Sequence, residues 1–213
     1  MNRLDLSFFK HIELSEYKKS DLLAYWINDF AEYHDEERTF NIAKSGMYCR
    51  GDVIKVNLGF NIGNELGVLH YYIVLNKYDN TRNGALNVIP LTSRKDSKKY
   101  DASSVNLGKE LYNVFQEKIE KEKQKLQQII LDELEKIDDV PINIQNIIEK
   151  EQKYIKKMKC EISKMKKDSI ALINQITTIS KQRIFKDTVR RNVKISSESL
   201  DLIDKQIIKF FTK

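Results

Sequence analysis

The chain has 213 residues, of which 41% are hydrophobic and 32% charged, and its formal net charge is +6 at pH 7. This composition excludes an intrinsically disordered chain, and no apolar run approaches the roughly 18 residues needed to span a bilayer. The N-terminal residues lack the apolar core of a secretory signal, and Cys49 and Cys160 have no metal-ligand spacing around them. We therefore expect a reduced, cytoplasmic protein without a membrane segment, a metal or another cofactor.

Residues 1–46 are predicted to form an N-terminal helical extension. Apolar side chains recur there at spacings of three to five, which favours one apolar helix face: Tyr17, Leu22, Leu23, Trp26, Phe30 and Tyr33. Ser20 and Asp21 can begin this helix. Residues 1–49 carry six basic and nine acidic side chains. One hypothesis is that this acidic extension covers the basic remainder of the chain as a built-in inhibitor.

Residues 47–106 are predicted to form the first part of a β domain. "RGDVIKVNL" alternates polar and apolar residues, as a strand with one wet face does. The loop "GFNIGNELG" leads into a second strand, "HYYIVLNKY", and Asn83-Gly84 then indicates a hairpin before a third strand, "LNVIPLTS". Pro90 within the third strand predicts an edge position or a bulge. Three strands with short connections are typical of an antiparallel meander or small barrel.

Residues 107–167 are predicted to form an inserted antiparallel hairpin of two long helices. Apolar residues keep a spacing of three or four on both sides of "DDVPIN", where Pro141 prevents one continuous helix. The first arm is acidic, whereas residues 150–167 carry eight basic and two acidic side chains. A basic excess of this kind suits a polyanionic partner. The second arm is therefore predicted to contact such a partner, either a nucleic acid or an acidic protein.

Residues 168–213 are predicted to complete the interrupted β domain. "DSIALINQITTISKQRIF" is rich in β-branched residues, and "SSESLDLIDKQIIKFF" announces a final helix capped by Ser196 or Ser197. Strands thus lie on both sides of the helical insertion. We interpret the chain as one β domain with an insertion, not as three consecutive domains.

Four blocks of the chain, in the right order, resemble the MazF/PemK family of toxins. They are "RGDVIKVNLGFNIGNELGVLHYYIVLN", "NVIPLTSRK", "DSIALINQITTISKQRI" and "SSESLDLIDKQIIKFF", and they cover about residues 48–96 and 168–211. The resemblance implies an α+β fold built on a small SH3-like antiparallel β-barrel, as in MazF, CcdB and Kid. It also implies a homodimeric toxin of a toxin–antitoxin system. Such a toxin cleaves single-stranded mRNA without metal and is restrained by a cognate antitoxin, either a protein or an RNA.

RNA cleavage without metal uses the ribose 2′-hydroxyl as nucleophile. The protein must then accept the 2′ proton, protonate the leaving 5′ oxygen and stabilise the phosphorane. In the family these tasks fall largely to an arginine after the glycine loop and to a threonine or serine ending the third strand. Thr92 and Ser93 match the second position, but His70 stands at the arginine position. Because imidazole transfers protons near neutral pH, the resemblance makes His70 the acid or base and Thr92 the phosphate-holding group.

Two other interpretations of His70 remain open: a structural histidine satisfied by backbone groups, or an inactive site that has lost its arginine. RNA contacts are expected from three groups of side chains. The loop supplies groups that can read base edges, the residues after Thr92 can neutralise phosphates, and the post-insertion block borders the family's cleft. In that order they are Asn61, Asn64 and Glu65; Arg94 and Lys95; and Gln175 and Thr178.

Two further classes of function also fit the sequence. The first is a toxin of the same fold that acts by binding, for example by poisoning a DNA topoisomerase such as gyrase. The second is a catalytically inactive barrel that serves as an interaction module through its helical hairpin. RNA cleavage that depends on His70 and Thr92 distinguishes the endoribonuclease from both.

Overall fold

The structure is a computed structural model that describes residues 2–134, 142–163, 165, 167–185 and 193–212. Within these ranges the chain has an α+β fold. The helices are α1 (Arg3–Glu13), α2 (Tyr17–Glu37), α3 (Glu110–Leu134), α4 (Ile142–Ser163) and α5 (Ser197–Phe211), with short 3₁₀ turns at Ile42–Lys44, Ile173–Gln175 and Lys181–Arg183. The strands are β1 (Val53–Asn57), β2 (Leu69–Val74), β3 (Ala85–Ser93), β4 (Ser104–Asn106), β5 (Ser169–Leu172) and β6 (Thr177–Ser180).

The strands form an open antiparallel sheet in the order β1-β2-β3-β5-β4, and β6 also pairs with β3. The predicted meander of the first three strands is confirmed. Strands before and after the two long helices belong to the same sheet, as expected for a β domain with an insertion. The short strand β4 was not predicted, because three residues are too few to show a period.

Pro90 was predicted at an edge or a bulge, and the edge position is wrong because Pro90 lies in a central strand. β3 pairs with β2 along one side, where Tyr72 lies opposite Pro90. On its other side β3 pairs with β6 through Val88 and with β5 from Leu91 onward. Pro90 falls in the interval where the partner changes. Its missing N–H therefore removes no bond from either of those two ladders.

The sheet curls around an inner core cluster formed by alternate residues of four strands and one later residue: Ile54, Val56, Tyr72, Val74, Leu86, Val88, Ile179 and Ile184. Isolated β-bridges join β1 and the residue before it to later parts of the chain, between Val56 and Ile184 and between Asp52 and Lys194. Successive residues of β1 and β2 point to opposite faces, so Tyr72 and Val74 pack in the inner core cluster while Ile73 between them packs on the helix side.

The opposite face of the sheet is covered by α3, α4 and α5. Buried residues of these helices pack against sheet residues such as Ile73 and Leu91 in one helix-side core cluster. The helical members include Leu111, Phe115, Ile119, Leu126, Ile155, Met158, Ile162 and Ile203. α3 and α4 pack side by side, as the periodicity predicts. Their connection, including Pro141, lies outside the described residues.

The N-terminal extension contains two helices, and α2 begins at Tyr17, three residues before the predicted start. Asn2 caps α1, with its side chain accepting from the Asp5 N–H at 2.9 Å. Trp26 of α2 lies so close to Gly59 that a Cβ there would come within 2.2 Å of the indole. Gly59 is therefore required by this close approach as well as by its φ of +78°. None of the described helices is long and apolar enough to cross a membrane.

A buried ion pair connects the segment before β1, the hairpin between β2 and β3, and the turn that follows β6. Lys181 Nζ lies 2.7 Å from Asp79 Oδ2, and the two side chains are 0% and 1% exposed. Lys181 also donates to the carbonyls of Gly46 and Asn80, while Asp79 accepts from the Tyr48 N–H. Burial raises the pKa of the Asp79 carboxyl, but these donors outweigh it and leave that pKa below its usual value.

Candidate functional site

His70 and Thr92 lie on neighbouring strands at the same end of the sheet. β2 and β3 pair with Tyr71 opposite Leu91. Continuing this register by one residue sets His70 opposite Thr92, on the face of the inner core cluster. Both are half-buried, so each side chain is fixed by neighbours and still reachable from solvent. Opposed positions in an antiparallel pair place Cβ atoms about 5 Å apart, so an imidazole and a hydroxyl there can contact one phosphate.

The surroundings of His70 favour its neutral form. Burial is the main cause that lowers the pKa of its imidazole, and the nearby cations Lys55 and Lys95 lower it further. A hydrogen bond between the His70 imidazole and the backbone of Leu91 partly opposes this lowering of the pKa. A pKa below the ordinary value near 6.5 leaves the imidazole unprotonated at neutral pH, so it can accept a proton.

The glycine-rich loop, residues 59–67, is held in place across this end of the sheet by Gln175. The side-chain carbonyl of Gln175 accepts from the Leu66 N–H at 2.8 Å, and its amide donates to the Asn64 carbonyl at 3.1 Å. Asn61 closes the loop internally by donating to the Leu66 carbonyl at 3.0 Å. Asn61 and Gln175 thus shape the loop, whereas the side chains of Asn64 and Glu65 are exposed.

Val68 connects the loop to β2 in a strained conformation. Its φ is +56°, a region that β-branched residues rarely adopt. Its N–H donates to the Gly59 carbonyl at 2.5 Å, so the loop closes on itself just before His70 enters the strand. Strained backbone of this kind is found preferentially at functional sites.

The residues after Thr92 differ in what they contact. Ser93 is the next strand residue, so it points to the other side of the sheet, and it pairs with Ser169. Arg94 binds Asp168 twice, by its N–H to the carbonyl at 2.8 Å and by its guanidinium to the carboxylate at 3.5 Å. The Lys95 N–H donates to the Tyr100 hydroxyl at 3.0 Å, and its side chain is exposed.

Thr178 is not brought together with the other predicted site residues. It pairs with Asn87 and donates to that side-chain carbonyl at 2.7 Å. Asn87 precedes Thr92 by five residues in β3, which is about 17 Å along a strand. Thr178 therefore belongs to the far half of the sheet.

A cluster that the sequence did not single out lies beside His70 on the helix side of the sheet. Lys55 Nζ and the Tyr71 hydroxyl contact one carboxylate oxygen of Glu161, at 3.1 Å and 2.7 Å. Lys55 is visible in the sequence as a polar residue within an alternating strand. Its partner on α4 is more than 100 positions away, so only the folded chain reveals the cluster.

The site therefore combines an imidazole of lowered pKa, an adjacent hydroxyl and a hydrogen-bonded loop with exposed polar side chains. This set can accept a proton and donate a hydrogen bond to an anionic oxygen. Within the described ranges, no group of three or more His, Cys, Asp or Glu side chains is placed to hold a metal ion.

Compared with models of known protein families and with curated proteins, the chain shows no significant match.

Proposed function

We propose that this protein is the toxin of a toxin–antitoxin system and cleaves single-stranded RNA without a metal ion. The observation that carries the proposal is the juxtaposition of His70 and Thr92 at one end of a curled antiparallel sheet. The bridges between Val56 and Ile184 and between Asp52 and Lys194 support a sheet that closes into a small SH3-like barrel. The order of the four sequence blocks supports the same fold.

In the proposed reaction, the neutral imidazole of His70 takes the proton from a ribose 2′-hydroxyl. The 2′ oxygen attacks the adjacent phosphorus, the P–O5′ bond breaks, and the leaving 5′ oxygen receives the proton carried by the imidazolium. The products are a 2′,3′-cyclic phosphate and a 5′-hydroxyl. Thr92 donates a hydrogen bond to a non-bridging oxygen, where charge develops in the phosphorane.

The remaining predicted residues are assigned supporting roles. The exposed side chains of Asn64 and Glu65 face solvent on the loop and can read the edges of unstacked bases. Lys95 supplies positive charge to the RNA backbone, and it is close enough to His70 to lower its pKa. A cognate antitoxin and a homodimeric assembly complete the proposal.

The decisive experiment incubates the purified protein with a long RNA in EDTA and maps the new 5′ ends. We expect discrete cuts in wild type and a rate lower by about 10²–10⁴-fold in His70→Ala, the usual contribution of a general base. Thr92→Ala is expected to lose activity as well. His34→Ala and Thr39→Ala are matched controls, because both side chains are exposed and belong to or follow α2.

Two results would contradict the proposal. If the wild-type protein leaves RNA intact in EDTA, the proposed enzymatic activity is wrong. If His70→Ala cleaves RNA at the wild-type rate, the proposed mechanism is wrong. Thermal unfolding of each variant shows whether a loss of activity reflects a loss of fold.

A further inference from the structure

The outer face of α4 carries a set of exposed lysines: Lys150, Lys153, Lys156, Lys157 and Lys159. In the part of the chain that the structure describes, none of the five takes part in an ion pair. The neighbouring helix α3 differs, since its Lys123 pairs with Glu120. The charge on α4 is therefore available to a partner.

Three of these lysines are aligned along the helix. Lys150, Lys153 and Lys157 follow one another at spacings of three and four, so they are neighbours on one stripe. The next position on this stripe is Glu161, which binds Lys55 and Tyr71. From residue 150 to residue 161 the stripe is about 16 Å long, at 1.5 Å per residue.

The Glu161 end of the stripe lies at the same end of the sheet as the candidate site, on the opposite face of the sheet. Tyr71 is adjacent to His70 in β2, and Lys55 is close enough to His70 to lower its pKa. After α4 the chain enters β5, where Ser169 pairs with Ser93 and Ile170 pairs with Thr92. The C-terminal end of α4 and the two proposed catalytic residues thus lie at the same end of the sheet.

We propose that the lysine stripe of α4 binds the phosphate backbone of the RNA strand outside the cleavage point. This inference rests on the proposed function and names its substrate as single-stranded RNA long enough to reach from His70 along α4. Phosphates bound by lysines supply affinity without sequence preference, while the loop at the site reads bases.

The surface of α4 favours a nucleic acid over an acidic protein. Protein interfaces are anchored by large apolar or aromatic side chains at their centre. Between residues 149 and 163, the described exposed side chains of α4 are lysines, other polar residues and Cys160, with no large apolar residue among them. Binding through charge alone is typical of phosphate backbones.

The test measures binding by the full chain to a 30-nucleotide single-stranded RNA with 2′-O-methyl riboses, which lack the nucleophile and cannot be cut. The variant carries Lys150→Gln, Lys153→Gln and Lys157→Gln. The control carries Lys109→Gln, Lys121→Gln and Lys125→Gln, three exposed positions on or next to α3 with the same charge change. Affinity is followed from 50 to about 300 mM salt, and circular dichroism confirms equal helix content.

Three lysines that contact phosphates are expected to contribute about 2 to the slope of log affinity against log salt, at roughly 0.7 per phosphate contact. The α4 variant should lose this part of the slope, and the α3 control should keep it. An unchanged slope in the α4 variant overturns the inference. The inference is also overturned if the α4 variant loses binding to poly-L-glutamate but keeps its binding to RNA. That result would favour an acidic protein as the partner.

The inference and the proposed function fail separately. If RNA binding depends on the stripe but wild-type protein does not cut RNA, the enzymatic proposal is wrong and the binding surface stands. If wild type cuts RNA and the α4 variant cuts long RNA at the same rate with the same affinity, the binding surface is wrong and the enzymatic proposal stands.

Discussion

The two halves of β3 differ in how deeply the polar side chains next to them are buried. Residues 85–88 pair with β6 near the buried Lys181–Asp79 pair, whose charged atoms have several hydrogen-bond partners. Residues 91–93 pair with β5 and border His70, which is half-buried, and the strained loop end at Val68. The comparison teaches that one half of a strand can stabilise the sheet while the other half carries half-buried polar groups that solvent can reach.

The largest expected effect concerns the half of β3 that lies near the buried Lys181–Asp79 pair. Lys181→Ala leaves the Asp79 carboxylate buried without its cation, which typically costs about 3–5 kcal/mol of unfolding free energy. Urea unfolding measures this change. Lys77→Ala, at an exposed position, is the control and should stay within about 0.5 kcal/mol of wild type. A loss at Lys181 no larger than at Lys77 would mean that the buried pair does not stabilise this half.

The inner core cluster contains one polar atom whose removal should stabilise the fold. The Tyr72 hydroxyl is buried, and no hydrogen-bond partner is found for it among the described residues. Because burial of an unpaired hydroxyl costs about 1–3 kcal/mol, Tyr72→Phe should raise the unfolding free energy by about 1 kcal/mol. Burial also raises the pKa of this phenol well above its usual range.

Tyr78→Phe is the matched control for this substitution, because Tyr78 is 89% exposed. It should leave the urea midpoint unchanged. A lower midpoint in Tyr72→Phe would show that the hydroxyl is bound in solution, and the assignment of an unpaired group would then be wrong.

A smaller effect is expected where the loop enters the site. A left-handed conformation costs an L-residue roughly 1–2 kcal/mol, and glycine recovers this at an entropic cost of about 0.5–1 kcal/mol. Val68→Gly should therefore raise stability by about 0.5 kcal/mol. Leu69→Gly is the control, because Leu69 is equally exposed at 37% but lies in β2, where glycine is unfavourable.

Chemical unfolding of both variants measures the difference, and cleavage assays show whether the strain matters for function. We expect Val68→Gly to lower activity even though it stabilises the fold, because the freed loop no longer fixes the start of β2. If Val68→Gly is stabilised and keeps wild-type activity, the strain at Val68 is not needed for function.

The smallest expected effect is the pH dependence contributed by His70. Its folded-state pKa lies below the unfolded value near 6.5, so the unfolded chain binds more protons between these two values. The stability contribution of the neutral imidazole is present above about pH 6.5 and is lost as the pH falls toward the folded pKa. Wild type should thus lose more stability than His70→Asn between pH 7.5 and pH 5.5.

Urea unfolding of both proteins at several pH values measures this difference. The rate of RNA cleavage should fall over the same acidic range, because a protonated imidazole cannot accept the 2′ proton. Parallel stability curves for the two proteins would contradict the lowered pKa of His70.

The local pattern of the chain predicted most of its elements. Alternation located β1, and a run of aromatic and β-branched residues located β2. The Asn83-Gly84 turn located the hairpin, the spacing of apolar residues located α3 and α4, and the capping serines located α5. These predictions succeed because burial of one face requires a period of about 2 in a strand and 3.6 in a helix. Of the two positions predicted for Pro90, an edge and a bulge, the edge was wrong, because its neighbours along β3 are paired by two different strands, which no local pattern shows.

The candidate site divides in the same way. His70 and Thr92 could be picked out from the order of their sequence blocks, but their opposition depends on the register of β2 and β3. Thr178 belongs to a matching block and yet lies in the far half of the sheet. The buried Lys181 was not recognised at all, because a lysine is expected at the surface unless its partner is known.

The amino-acid sequence by itself determined the kinds of elements, their order and the interruption of the β domain by two charged helices. Tertiary structure alone decided the facing of His70 and Thr92, the burial of Lys181 with Asp79, and the approach of Glu161 on α4 to Lys55. The physical reason is how far apart in the chain the interacting residues lie. Periodicity records which face of one segment is buried, whereas register, ion pairing and cross-strand contact depend on residues far apart in the chain.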